Sequence, residues 1–176
     1  MLSLAAAAFF FVGIHLLISG TVLRARLVAQ LGEKTYLGLF SLLSAGGLTW
    51  LILAFLKARI LLPTALYEWR ALALLLNLIA IIFICFGVLA KNPAGLGGER
   101  YLDEPDPAKG MQRITRHPML WGIALWAGTH CVFNPQAAPL WFFGAFLVLA
   151  VLGPLALDRK RALRLGERWA RYVAVT

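Results

Sequence analysis

The chain has 176 residues, 61% of them hydrophobic and 14% charged, with a mean hydropathy of +0.78. A helix needs about 20 apolar residues to cross the roughly 30 Å hydrocarbon core, so this length allows about five spans, and residues 1–176 read as a single membrane domain with little room for a soluble one. The net charge of +9 is accounted for by topology and by attraction to anionic lipid headgroups, which leaves no need for a nucleic-acid partner.

Five apolar runs follow in chain order. The first covers about 2–22; it has no positively charged start and no clear cleavage site, so it is expected to persist as a mature helix and not as a signal peptide. The second, about 36–56, contains Gly46-Gly47 near Ser41 and Ser44, a small face suited to close helix packing. The third covers about 71–90. The fourth, about 118–133, opens on Pro118, a residue suited to the first turn of a helix, and is short for a span. The uncharged turn Asn134-Pro135-Gln136 joins it to the fifth run, about 139–157, as an antiparallel hairpin.

With five spans, lysine and arginine fall fourteen on one side and three (Lys57, Arg59, Arg70) on the other. The positive-inside rule then places the N-terminus outside and the C-terminus in the cytoplasm. The basic tail, 158–176, is expected to lie as an interfacial helix on the inner leaflet. The longest polar connection, Lys91 to Thr115, is rich in glycine and proline and reads equally as a lid or binding loop and as a tolerated insertion. Its Gly95-x-Gly97-Gly98 stretch follows no strand and carries no nucleotide-binding expectation. Cys85 and Cys131 form no paired motif, and Cys131 reads either as an ordinary buried thiol or as a soft metal ligand beside His130.

The chemistry concentrates in the three histidines, because an imidazole in an apolar segment is costly unless it meets a partner, a cavity or a ligand. His15 lies within the first helix and His130 within the fourth. Counted from the inner helix ends at about 1.5 Å per residue, they stand roughly 10 Å and roughly 18 Å deep. An 8 Å offset is within the error of helix ends placed from sequence, about two to four residues. Two imidazoles on opposed helices can then take one metal, and axial histidines with apolar and aromatic walls are a usual way to hold haem iron in a bundle. Phe9, Phe10, Phe11, Trp121 and Trp126 are candidate walls, although such aromatics also serve plain packing. A bare zinc site would want more ligands. Arg116 and His117, at the mouth of the fourth helix, suit an anion such as a haem propionate, or else a cationic interfacial anchor.

The run Lys109-Gly110-x-x-Arg113-Ile114-Thr115-Arg116-His117-Pro118-Met119-Leu120-Trp121-Gly122-x-x-Leu125-Trp126-x-x-x-His130, with His15 and Leu31-Gly32-Glu33-x-x-Tyr36, resembles the NnrU-domain family over most of the chain. That resemblance implies kinship with the plastid 15-cis-zeta-carotene isomerase, a membrane enzyme holding haem b, and it implies His15 and His130 as the iron ligands. It also implies a multi-pass protein of the bacterial inner membrane, linked to nitrite and nitric oxide metabolism. The sequence departs from the family pattern after His130, where Cys131-Val132-Phe133-Asn134-Pro135 stands in place of the usual Leu-x-x-Asn-Gly.

A second resemblance competes. An RHPxxxG entry into a helix hairpin, with Gly166-x-x-Trp169-x-x-Tyr172 in the tail, is similar to the isoprenylcysteine and phospholipid methyltransferases, which bind S-adenosylmethionine. Those proteins usually carry two acidic residues after the last span, whereas here Asp158 is followed by Arg159-Lys160-Arg161. The expectation is therefore an all-α bundle of about five transmembrane helices binding one haem b through His15 and His130, with Arg116 and His117 nearby. If catalytic it is isomerase-like, acting on a lipophilic polyene and drawing on an unidentified electron donor; a non-catalytic haem sensor is the third possibility.

Overall fold

The computed structural model describes residues 1–19, 21–59, 67–95 and 97–176. Gly20, inside the first expected span, and Leu96, inside the Gly95–Gly98 stretch, lie outside the described residues. All regular structure among the described residues is helical, without strands. The main helices are α1 (Leu2–Gly13, continued by a π-helical stretch, Ile14–Ser19), α2 (Val22–Leu31), α3 (Glu33–Ala58), α4 (Arg70–Leu89), α5 (Pro118–Phe133), α6 (Ala137–Leu165) and α7 (Glu167–Val173).

The polar stretch expected as the first connection folds instead as α2. Its sequence contains no proline or glycine, so nothing in it opposes a helix. The Thr21 hydroxyl caps its start by accepting from the Leu23 amide at 3.2 Å while donating to the Leu17 carbonyl at 2.6 Å. None of its residues is buried, and it departs from the first helix at 79°.

Three helices, α3, α4 and α6, are long and apolar enough to cross a membrane among the described residues; α1 and α2 together add a fourth only as one bent span. The expected fourth run is helical over the expected residues, with Pro118 at its first turn, but at 16 residues it rises only about 24 Å. The described helices thus give three candidate spans, beside a bent α1–α2 pair and a short α5. Helix α4 shows the lipid-facing character most clearly: Ala80 is its one buried residue, while Leu74, Leu78, Ile81 and Phe86 are exposed. Such an apolar exterior suits hydrocarbon, which stabilises no unpaired backbone.

Packing runs from α3 through α1 and α6 to α5 and α4. The α1 core residues Leu4, Ala7, Ala8 and Phe11 meet Leu51 and Ala54 of α3 and Ala138 and Ala145 of α6. In the expected small face of α3, Gly47 receives the Phe10 ring, whereas Gly46 faces open space. The closest approach is between α4 and α5: a Cβ on Gly122 would stand 2.7 Å from the Ala80 carbonyl oxygen, and one on Gly87 would stand 2.3 Å from the Met119 amide. Small residues here let two backbones come together, as membrane helix pairs require.

The basic tail differs from the expected interfacial helix. Helix α6 carries on to Leu165, so Asp158 through Arg164 extend the last span; Gly166, at φ +52°, then turns the chain into α7. Helix α7 folds back, and Trp169 and Tyr172 are buried against Ala94, Leu102 and Ala108. The 91–115 connection is therefore fastened beneath the tail. Gln112 Nε2 donates to the Lys91 carbonyl at 2.7 Å, and Asn92 Nδ2 donates to the Arg116 carbonyl at 3.1 Å. Of its two sequence readings, this pinned loop departs from a loose lid.

Candidate functional site

His15 and His130 share one local arrangement. Each lies in a helix with its Nδ1 against the carbonyl oxygen four residues earlier: Phe11 at 2.7 Å for His15 and Trp126 at 2.8 Å for His130. A carbonyl can only accept, so both Nδ1 atoms carry the proton and both Nε2 atoms present a lone pair. This is the tautomer of a metal-ligating histidine whose ring is oriented by a backbone acceptor. His15 stands in the π-helical stretch, a conformation frequent at functional sites. Its Nε2 accepts from the Ser44 hydroxyl of α3 at 3.3 Å. His130 stacks on Phe143 at 4.3 Å and 24°; its Nε2 has no hydrogen-bond partner among the described residues.

The structure does not bring the two imidazoles into one cavity. His15 lines an apolar cavity of about 310 Å³ with Ile123, Leu120 and Phe146. His130 lines a separate cavity of about 140 Å³ with Ala73, Asn77 and Asn134. His15 shares its cavity with Ile123, and His130 follows Ile123 by seven residues, roughly 10 Å further along the helix. Between them runs a series of rings: Phe11 to Phe146 at 5.7 Å, Phe146 to Trp126 at 5.6 Å, and Trp126 to His130 at 5.3 Å. Of the five candidate wall aromatics, Phe11 and Trp126 belong to this series. An imidazole Nε2 at each position is chemically suited to ligate a metal, and the two histidines line different cavities.

Arg116 and His117 are brought together on an internal anion. Arg116 Nη2 and Nε donate to one oxygen of Asp158 at 2.8 and 3.2 Å, and His117 Nε2 donates to the other at 2.6 Å. Arg116 Nη1 also donates to the Thr176 hydroxyl at 3.1 Å. The anion that these residues were expected to bind is thus supplied by the chain itself, at the point where α6 leaves the apolar region. Burial pushes the His117 imidazole below its ordinary value, prevailing over Asp158, which raises it. Burial likewise pushes the Tyr172 phenol up to about 12.

Sequence reasoning missed Asp158 as this partner and Ser44 as the partner of His15. Asp158 had a signal: it is the one acid among eight residues, 158–165, that hold four cations. Arg161 was assigned to the lipid surface but is buried, over the Trp169 ring at 5.3 Å, and donates to the Gly95 carbonyl at 3.3 Å. Cys131 is partly buried, and no group of three or more histidine, cysteine or acidic residues placed to hold a metal occurs among the described residues.

Neither the curated proteins nor the solved structures contain a significant match to this chain. The family model described as NnrU protein matches residues 3–176, nearly the full length. With the RHP entry to α5 and both intramembrane histidines inside the matched region, the chain belongs to the NnrU family.

Proposed function

We propose that this protein is a haem b-binding membrane protein in which His15 and His130 are the candidate iron ligands. The observation carrying this proposal is the shared tautomer: two histidines in apolar helices, each tied through Nδ1 to its own helix carbonyl, with an Nε2 acceptor that meets only the Ser44 hydroxyl at 3.3 Å in His15 and no partner among the described residues in His130. An imidazole lone pair left without a donor in an apolar surrounding costs free energy, and a metal ion at that nitrogen relieves it. Haem iron, when bound, supplies a redox-variable Lewis-acid centre. The chain's own part is to orient the imidazoles through Phe11 and Trp126 and to exclude water with Phe143 and Phe146.

The five-pass arrangement with an external N-terminus and a cytoplasmic C-terminus in a bacterial inner membrane belongs to the same proposal, supported by the fourteen-to-three distribution of basic residues. If the protein is catalytic, the substrate is a lipophilic polyene and the reaction is cis/trans isomerisation; a role in nitrite or nitric oxide metabolism, or as a haem sensor, uses the same centre. Arg116 and His117 support it indirectly, by fixing the start of α5. The methyltransferase alternative receives no support from the geometry, because both Asp158 oxygens are engaged by Arg116 and His117.

The test is the optical spectrum of the detergent-purified full chain, oxidised and dithionite-reduced, after reconstitution with haem b. A stoichiometric Soret band that shifts on reduction is expected. A spectrum identical to free haem in detergent, with saturable S-adenosylmethionine binding, would replace the proposal by the methyltransferase alternative.

A further inference from the structure

The cavity beside His15 is nearly all apolar, and it shares lining residues with a second cavity of different character. The inner one, about 310 Å³, is lined by Leu120, Phe146, Leu149 and Gly153, among others. The outer one, about 630 Å³, is lined by Arg24, Arg159, Lys160 and Arg164, among others. Ala156 and Lys160 line both, so they form the throat. Two of the four outer cations are neutralised: Arg24 by Glu33 at 3.3 Å and Arg164 by Glu99. Arg159 and Lys160 have no ion-pair partner among the described residues, and Lys160 is half-buried.

The change from apolar to cationic lining coincides with a change in α6 itself. Its sequence is apolar through Leu157 and charged from Asp158. The throat therefore sits at the step from hydrocarbon to headgroup layer. A ligand filling both parts has an apolar chain and an anionic head, and the outer volume, about twice the inner, suits a head larger than a bare carboxylate. Half-buried positive charge without a counterion is costly, and an anion at that point relieves it.

We propose that this composite cavity binds an anionic phospholipid of the surrounding bilayer, with one acyl chain running inward toward His15 and the phosphate held by Lys160 and Arg159. The lipid site does not depend on haem, since His15 lies only at its inner end.

The test is native mass spectrometry of the full chain in detergent, with added phosphatidylglycerol or phosphatidylcholine of the same acyl chains. One phosphatidylglycerol per chain is expected, retained about tenfold more strongly than phosphatidylcholine, whose choline cation is repelled by Arg159 and Lys160 where the glycerol head is neutral. Lys160→Gln with Arg159→Gln should remove that preference, and Ala156→Leu should block retention at the throat. Arg171→Gln, which removes one cation elsewhere on the surface, should leave it intact. His15→Ala should keep the lipid even where it loses haem, so failure of haem binding and failure of lipid binding are separable. Equal retention of both lipids, or unchanged retention in the double variant, would overturn the proposal; so would haem expelling the lipid one for one. Because the Gln variants alter only the mouth, they keep the test decisive if Ala156→Leu fails to fold.

Discussion

Two regions of the bundle handle polar groups in opposite ways. At the end closed by α7, Asn92, Gln112, His117 and Asp158 find partners within the chain, and the loop and tail are drawn into one fastened layer. In the apolar part, His15 and His130 spend one ring nitrogen on their own helix and leave the other as a bare acceptor or one weakly held at 3.3 Å. Satisfied networks specify a fold; acceptors left open in an apolar surrounding mark where a ligand can bind. Within the family motif, Arg116 and His117 are paired with Asp158, whereas His130 leaves its Nε2 without a partner among the described residues.

The sharpest way to break this contrast is at Asp158. Asp158→Asn should destabilise the fastened end by roughly 2–3 kcal/mol, below the range for a fully buried pair because a quarter of each side chain remains exposed. Limited trypsin digestion should then release the tail after Arg168 and Arg171 faster, while the cavities near His15 and His130 keep their ligand behaviour. Equal loss at both ends would merge the two regions into one.

Gly122→Ala probes the α4–α5 contact, which bears on His130 and not on the fastened end. A methyl group at 2.7 Å from the Ala80 oxygen forces the helices apart at a cost of about 1–3 kcal/mol. Thermal unfolding in detergent should show the lower midpoint, without added sensitivity of the tail to trypsin.

Acid acts on the fastened end more weakly. The His117 imidazole is held below its ordinary value of 6.5, so the unfolded chain takes up a proton first as pH falls. The contribution is complete above about pH 6.5 and declines as pH drops toward the lower folded value. Wild type should lose stability between pH 7 and 5 more steeply than His117→Gln; parallel slopes would remove His117 from the account. On the alkaline side, Tyr172 favours its neutral form, so its contribution holds below about pH 10 and is lost as pH rises through about 12. Phenolate absorbance should show a transition near pH 12 that Tyr172→Phe removes.

Much of this fold is legible in sequence because hydropathy reports lipid contact directly. Pro118 and Asn134 marked α5 as the structure draws it, since proline fixes its first turn and the Asn-Pro turn follows its end. What sequence did not show depended on distant partners. Trp169 and Tyr172 look like interfacial anchors until Gly166 turns α7 back onto Ala94 and Leu102. Arg116 and His117 look like a site for an external anion until Asp158, 41 positions beyond His117, arrives from α6. Helix α2 was hidden because a polar, arginine-bearing segment reads as a connection when only its hydropathy is considered. The relative depth of His15 and His130 lay beyond sequence because it turns on a few residues of helix-end placement.

The most direct test of the open end is the reduced-minus-oxidised spectrum of the haem-reconstituted wild type beside His15→Ala and His130→Ala. Loss or gross displacement of the Soret band in both variants is the result expected if both Nε2 atoms ligate iron, with α1 and α5 meeting on the cofactor. Wild-type spectra in both variants would contradict the assignment and leave the two histidines as structural residues of an apolar bundle.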